Sequence, residues 1–188
     1  MYTGKGLGAI KEANEGGTSY LKLEDGESTV IRIITPLDEV ESIYEHTEQF
    51  NGKWTNVRCL GKENCPLCKA GKNASFRSFL VVYDRKDSKV KVFKASKTVG
   101  KSIVGLAEEY GDLTKRDIKM VRSGKGLKTI YQFFARDPKA FDTSELELPN
   151  ISELIKPKTV EDIVALMTSV GEVSEVGFQT DNEGFPFF

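Results

Sequence analysis

The sequence predicts a mainly β fold with flanking helices, and a small five-stranded barrel is the arrangement that suits its parts best. Three observations predict it. Short runs rich in β-branched and aromatic residues recur between Gly, Pro, Asp and Asn turns, amphipathic helical stretches occur in two places, and no strand–helix–strand unit repeats.

An apolar alternation begins at Tyr20, and STVIRII at residues 28–34 reads as a strand ended by Thr35 and Pro36. Residues 40–50 supply a second, acidic strand in which Ile43 faces opposite to Tyr44 and His46. A Lys-, Gly- and Cys-rich excursion follows. FRSFLVVY at 76–83 and KVKVF at 89–93, separated by turn-forming residues 84–88, read as a hairpin. Val99, Ile103, Leu106 and Tyr110 then recur at helical spacing, with Gly105 weakening the helix and Gly111 stopping it. Residues 118–121 and 127–135 flank RSGKG, which predicts another hairpin whose basic, glycine-containing loop can approach a backbone closely. Val160, Ile163, Val164 and Met167 give the second helical face, with Thr159 as its cap and Asp162 three residues on. Residues 168–188 turn polar and end in DNEGFPFF. Five-stranded oligonucleotide-binding (OB) barrels use such parts, as do other small β-barrels and twisted α+β sheets.

The 188 residues suffice for one sizeable core or two small ones. A composition of 39% hydrophobic and 29% charged residues excludes a wholly disordered chain, and no apolar run approaches the roughly 20 residues that span a bilayer. The opening MYTGKGLGAIKEANEGG lacks the apolar stretch of a secretory signal, and three cysteines cannot all pair within one chain. A reducing, cytoplasmic setting is therefore expected. The net charge of -1 conceals a division: residues 1–49 carry 4 Lys/Arg against 10 Asp/Glu, residues 50–140 carry 21 against 8, and residues 141–188 carry 2 against 10. A basic middle between acidic ends suits either a polyanion-binding surface or a solubilising one whose charges cluster.

The sharpest local signal is His46, Cys59, Cys65 and Cys68, spaced H-x12-C-x5-C-x2-C with Pro66 inside the last pair. Three thiolates and an imidazole suit a tetrahedral Zn²⁺, and a Cys-x2-Cys turn lets two sulfurs reach one ion. Four protein ligands close the coordination sphere, so one structural Zn²⁺ stapling a long loop to the preceding strand is expected. Glu45 or Glu48 in place of His46 would keep the site structural. The competing reading takes CPLC as a redox pair and His46 as a surface residue.

Basic and aromatic residues coexist on the predicted strands. Arg77, Phe79 and Tyr83 share one face of residues 76–83, while Lys91 and Phe93 share the face of 89–93 that is the better candidate for solvent or ligand. Single strands of nucleic acid need cations for phosphates and platforms for bases. The candidate contacts are Lys53, Trp54, Arg58, Arg77, Phe79, Tyr83, Lys91, Phe93, Lys94, Lys125, Lys128, Tyr131, Phe133 and Arg136. Phe134 belongs to the same aromatic pool, and on a regular strand it faces opposite to Phe133. Catalytic signatures are lacking: there is no HExxH, no P-loop and no dinucleotide fingerprint, and the sole histidine is wanted by the metal. Glu108 and Glu109 are adjacent on a helix and point apart, which disfavours a carboxylate-dependent nuclease.

His46-x12-Cys59 and CPLC followed by Lys69, with YLKLEDGESTVIRIITP ahead of them, resemble the zinc-containing helix-destabilising proteins of T4-like bacteriophages. The resemblance covers residues 20–140. It implies an OB barrel with an inserted zinc-binding subdomain, with His46, Cys59, Cys65 and Cys68 carried over as the metal ligands. The expected organisation is a flexible or helical segment at 1–19, the OB core at 20–140 with the zinc subdomain at 46–72, a helical segment at 141–170 and an acidic tail at 171–188. The tail resembles the partner-recruiting ends of replication single-strand-binding proteins, with Asp181, Glu183, Phe185, Phe187 and Phe188 as the binding residues. The chain departs from the family pattern in its short metal loop and in lacking a strongly basic N-terminal arm. The function expected is non-catalytic coating of single-stranded DNA in phage replication, recombination and repair. The partners would be single-stranded DNA and replication proteins, in the cytoplasm of an infected host and with no membrane role. The alternative is a zinc-stabilised adaptor of a replication or transcription enzyme.

Overall fold

The computed structural model of the chain describes residues 18–168. Within them seven strands run in chain order: β1 (Ser28–Ile33), β2 (Glu41–Phe50), β3 (Lys53–Arg58), β4 (Ser75–Asp84), β5 (Lys89–Ser96), β6 (Arg116–Ser123) and β7 (Ile130–Pro138). The helices are α1 (Pro66–Lys69), α2 (Lys97–Tyr110), α3 (Ile151–Leu154) and α4 (Val160–Thr168). The mainly β class with flanking helices is what the chain adopts. Two units share these elements: residues 18–45 with 75–156, and residues 46–74 with 157–168. All but two residues of the expected N-terminal segment, and the whole tail at 171–188, lie outside the described residues.

In the first unit the strands lie antiparallel in the order β7, β6, β1, β4, β5. Residues 41–45 of β2 pair with 75–79 of β4, on the edge that β1 uses further along that strand. The sheet is open, since no ladder joins β5 to β7 among the described residues. The rings of Phe93 on β5 and Tyr131 on β7 nonetheless meet edge to face at 5.6 Å. The free edge of β5 is covered by the chain near Tyr20: Leu21 N donates to Val92 O at 2.9 Å, and Val92 N donates to Ser19 O at 2.8 Å. Such cover removes an exposed row of backbone donors and acceptors.

Period-two alternation sends Ile31, Ile33, Leu80, Val82, Phe93, Ile118 and Met120 to one face, where Ile103 of α2 joins them. Ser96 caps α2 by accepting from Val99 N, and Gly111 ends it at φ +73° with its N–H on Ala107 O. Val99, Ile103 and Leu106 face this core as their spacing predicts. Tyr110 does not; it turns outward beneath the Arg116 guanidinium, 5.2 Å from the ring centroid. Phe79, Val81 and Val92 line the opposite face and pack with Ile151 and Ile155. The short α3, which apolar periodicity is too brief to reveal, is started by Asn150, whose side chain accepts from Glu153 N. Both faces of β4 and β5 are thus buried, which is why FRSFLVVY is nearly continuously apolar.

A second-unit hairpin joins residues 46–50 of β2 to β3 through Asn51 (φ +49°) and Gly52 (φ +74°). Two consecutive left-handed residues are what a tight two-residue hairpin demands, and Asn-Gly supplies them. Phe50, Val57, Cys65 and Leu67 form a small core with Ile163 of α4. At the start of α4, Thr159 Oγ1 accepts from Asp162 N at 3.1 Å and Asp162 Oδ2 accepts from Thr159 N at 3.2 Å, the reciprocal cap its sequence predicts. Its buried stripe differs from expectation: Ile163, Leu166 and Met167 face the core, while Val160 and Val164 are exposed. No helix among the described residues is long and apolar enough to cross a membrane.

Candidate metal centre

Four side chains of the second unit converge. His46 sits on β2, Cys59 just beyond β3, Cys65 at the N-cap of α1 and Cys68 in its single turn. Pro66 starts that turn because its missing N–H costs nothing there. Asn64 N and Cys65 N both donate to Gly61 O, at 3.2 and 2.8 Å, and Gly61 adopts the left-handed conformation at φ +91° that this reversal requires. The knuckle thereby brings the two sulfurs of CPLC to one side.

Cys59 Sγ lies 3.5 Å from Cys68 Sγ, and His46 Nε2 lies 3.4 Å from Cys65 Sγ and 3.5 Å from Cys68 Sγ. All four ligand atoms fall within 4.8 Å of one another. Zn–S and Zn–N bonds of tetrahedral zinc place two sulfurs about 3.8 Å apart and a sulfur and nitrogen about 3.6 Å apart. The cluster therefore fits one four-coordinate ion. It does not fit a disulfide, whose sulfurs stand about 2.05 Å apart, and the three cysteines are free. The competing carboxylates are engaged elsewhere: Glu45 pairs with Arg77 and Lys94, and Glu48 pairs with Lys72 at 3.1 Å.

Without an ion the three thiols perturb one another. Burial pushes Cys65 up, but hydrogen bonds from the Leu60, Cys68 and Leu67 backbone outweigh it and hold the thiol below its ordinary value. Burial pushes Cys68 up to about 11, reinforced by the sulfurs of Cys59 and Cys65. A Cys65 thiol held down beside a Cys68 thiol pushed up is the condition a divalent cation relieves, because the ligands bind as thiolates. His46 and Cys65 are fully buried and Cys59 and Cys68 half-buried, an arrangement compatible with a four-ligand structural site.

The expected nucleic-acid contacts do not share one environment. Phe79 and Phe93 are buried, one in each core of the first unit, so neither is available to stack on a base. The Lys-bearing face of β5 is closed from Phe93 onward, where it packs inside, while Lys89 at its start is exposed. Tyr131 and Phe133 are half-buried against the same core. Tyr83 packs on Phe141 at 4.8 Å. Three of the cations are already paired: Arg77 and Lys94 share Glu45, and Lys91 meets Asp84 and Asp87.

Others stand open. Lys125, Lys128 and Arg136 are exposed on or beside β7, as are Lys53 and Trp54 on β3, where Trp54 is 71% exposed. Arg58 is half-buried at the end of β3. On β7 the outward residues Ile130 and Phe134 are 60% and 50% exposed, and Lys119 of β6 lies directly opposite Phe134. Lys119 was not among the expected contacts, although its alternation with Ile118 and Met120 marks it as outward-facing. No family model matches this chain, and neither does any curated protein or solved structure.

Proposed function

We propose that the chain is a non-catalytic single-stranded DNA-binding protein of the T4-like phage type, with one structural Zn²⁺ on His46, Cys59, Cys65 and Cys68. The open sheet is read as an OB-type barrel whose β5 and β7 edges meet through Phe93 and Tyr131. The observation that carries the binding role is the outward face of β6 and β7. Phe134 and Ile130 stand exposed there, with Lys119 opposite Phe134, Arg136 further along β7 and Lys128 just ahead of it. Large apolar groups held in water among cations mark a contact surface. Phosphates would take the cations, and a stacked base would cover Phe134 for roughly 1–3 kcal/mol. Trp54 beside Lys53 offers the same chemistry in the second unit.

This combination favours separated bases over a duplex, whose bases are already stacked, and is indifferent to sequence because every base has a π-face. Phe134→Ala tests it. The side chain is half in water, so the fold should survive, while affinity for single-stranded DNA should fall roughly tenfold or more. Unchanged affinity would remove β7 from the interface.

An adaptor role is the second reading. Leu127 is fully exposed beside Ile130, and this aliphatic pair suits a protein partner better than a base. An adaptor would bind nucleic acid weakly at physiological salt and without preference for single strands.

A further inference from the structure

A cavity of about 590 Å³ opens in the first unit beside the end of β1, residues 114–115 and residues 138–143. Arg32, Lys115, Lys139 and Phe141 are among its lining. Arg32 is the unusual member, with a side chain only 2% exposed. Its Nε donates to Asp117 Oδ1 at 2.8 Å, and Nη1 donates to the carbonyls of Thr114 at 3.1 Å and Lys139 at 2.9 Å. Nη2 is equally buried and has no hydrogen-bond partner among the described residues. Buried donors almost always find an acceptor, and this unpartnered nitrogen belongs to a residue that lines the cavity.

Charge points the same way. Asp117 Oδ1 also accepts from Arg85 Nη2 at 3.0 Å, so two guanidiniums share a single carboxylate oxygen. Phe141 lies over both, 5.5 Å from Arg32 and 4.1 Å from Arg85, and gives a ring face without an acceptor. Lys115 and Lys139 leave adjacent backbone positions, joined by Lys139 N donating to Lys115 O at 2.9 Å. Lys115 meets Asp112 at 3.5 Å with its side chain mostly in water, and the Lys139 ammonium has no carboxylate partner among the described residues.

We infer that this cavity binds phosphate oxygens, taken by Arg32 Nη2 and the ammonium groups of Lys115 and Lys139. Three cationic residues, Arg32, Lys115 and Lys139, line this one cavity, and cations so grouped suit a tetrahedral oxyanion. The volume exceeds a lone ion and leaves room for whatever the phosphate is attached to. Nη2 is closed to solvent, so direct contact requires a local rearrangement of the cavity lining. The inference is independent of the β7 surface and stands or falls without it.

The test uses the full-length, metal-loaded chain labelled with ¹⁵N, titrated with inorganic phosphate and with chloride at equal ionic strength. Phosphate should shift the Arg32 Nε–Hε signal and the amides of Lys115 and Lys139 saturably, where chloride does not. The double variant Lys115→Ala with Lys139→Ala alters exposed side chains that leave the fold intact, and should weaken phosphate roughly three- to tenfold. A short thymidine oligomer distinguishes the sources. If it moves the same signals and phosphate displaces it, the site holds a strand's backbone; if phosphate alone moves them, the site holds the free anion. Shifts equal to those in chloride, or an unweakened double variant, would overturn the site.

Discussion

Replacing Cys65 with Ser should unfold the second unit and leave the first standing. Cys65 is completely buried in a core whose other buried members are Phe50, Val57, Leu67 and Ile163. At roughly 1.5–3 kcal/mol for each such side chain, these four contribute about 6–12 kcal/mol before any chain entropy is charged against them. Structural zinc in small domains contributes an apparent 10–16 kcal/mol or so, which makes the ion at least the equal of that core. A serine hydroxyl does not replace a thiolate on zinc, so the variant loses the larger stabilising factor. The first unit keeps its own core around Ile31, Leu80, Val82, Phe93 and Met120. Hydrogen exchange read peptide by peptide is the assay. Residues 46–74 and 160–168 should lose protection in the variant, and equally in wild type stripped with a strong chelator, while β1, β4 and β6 stay protected. Adding back zinc should restore that protection to the stripped wild type and not to the variant. Full protection of 46–74 in protein verified to be metal-free would refute the reasoning.

Acid should weaken the first unit. Burial raises Asp84, but hydrogen bonds from Lys91 and Thr29 outweigh it, and Asp117 is likewise held down by Arg85 and Arg32, so both carboxyls lie below their ordinary 3.8. Depressed carboxyls stabilise above 3.8 and lose that contribution as pH falls through their folded values, so the unfolding free energy should drop below about pH 4. Asp84→Asn should cost about 3 kcal/mol at pH 7 and flatten that decline in denaturant titrations. Gly124 has φ +82°, and a Cβ there would stand 2.2 Å from Lys128 O, so Gly124→Ala should disrupt the β6–β7 loop and shift its amide spectrum. A spectrum unchanged at residues 122–130 would contradict that close approach. Deleting residues 172–188 should preserve DNA affinity while weakening capture of replication proteins, and a large loss of DNA affinity would assign the segment to DNA binding instead of partner recruitment.

The metal centre was legible because a His-Cys pattern is local in kind even when its members are 22 residues apart. Strands β1, β2, β4, β5, β6 and β7 were legible from alternation and turn residues, and α2 and α4 from spacing and caps. What stayed hidden was tertiary. β3 was folded into the cysteine-rich excursion although Asn51-Gly52 announces a hairpin. The four-residue α3 has too few residues for a period, yet with Ile155 it buries the face carrying Phe79. Whether Arg77, Lys91 and Lys94 were free cations depended on where Glu45 and Asp84 would lie, which no spacing reveals. Phe133 and Phe134 illustrate the limit well: alternation says they oppose each other, but only the packed sheet says that Phe134 is the exposed one.

Trp54 fluorescence is the most direct reporter of the central claim, because the ring is exposed beside Lys53 and is the only tryptophan in the chain. Zinc-loaded full-length protein would be titrated at about 0.15 M salt with unstructured single-stranded DNA, matched duplex and matched RNA. Metal content would be measured on the same sample. Saturable quenching by single-stranded DNA, much weaker binding of the duplex and one zinc per chain is the predicted result. Weak binding without preference for single strands would contradict the coating role and leave the exposed Leu127, Ile130 and Phe134 surface to a protein partner.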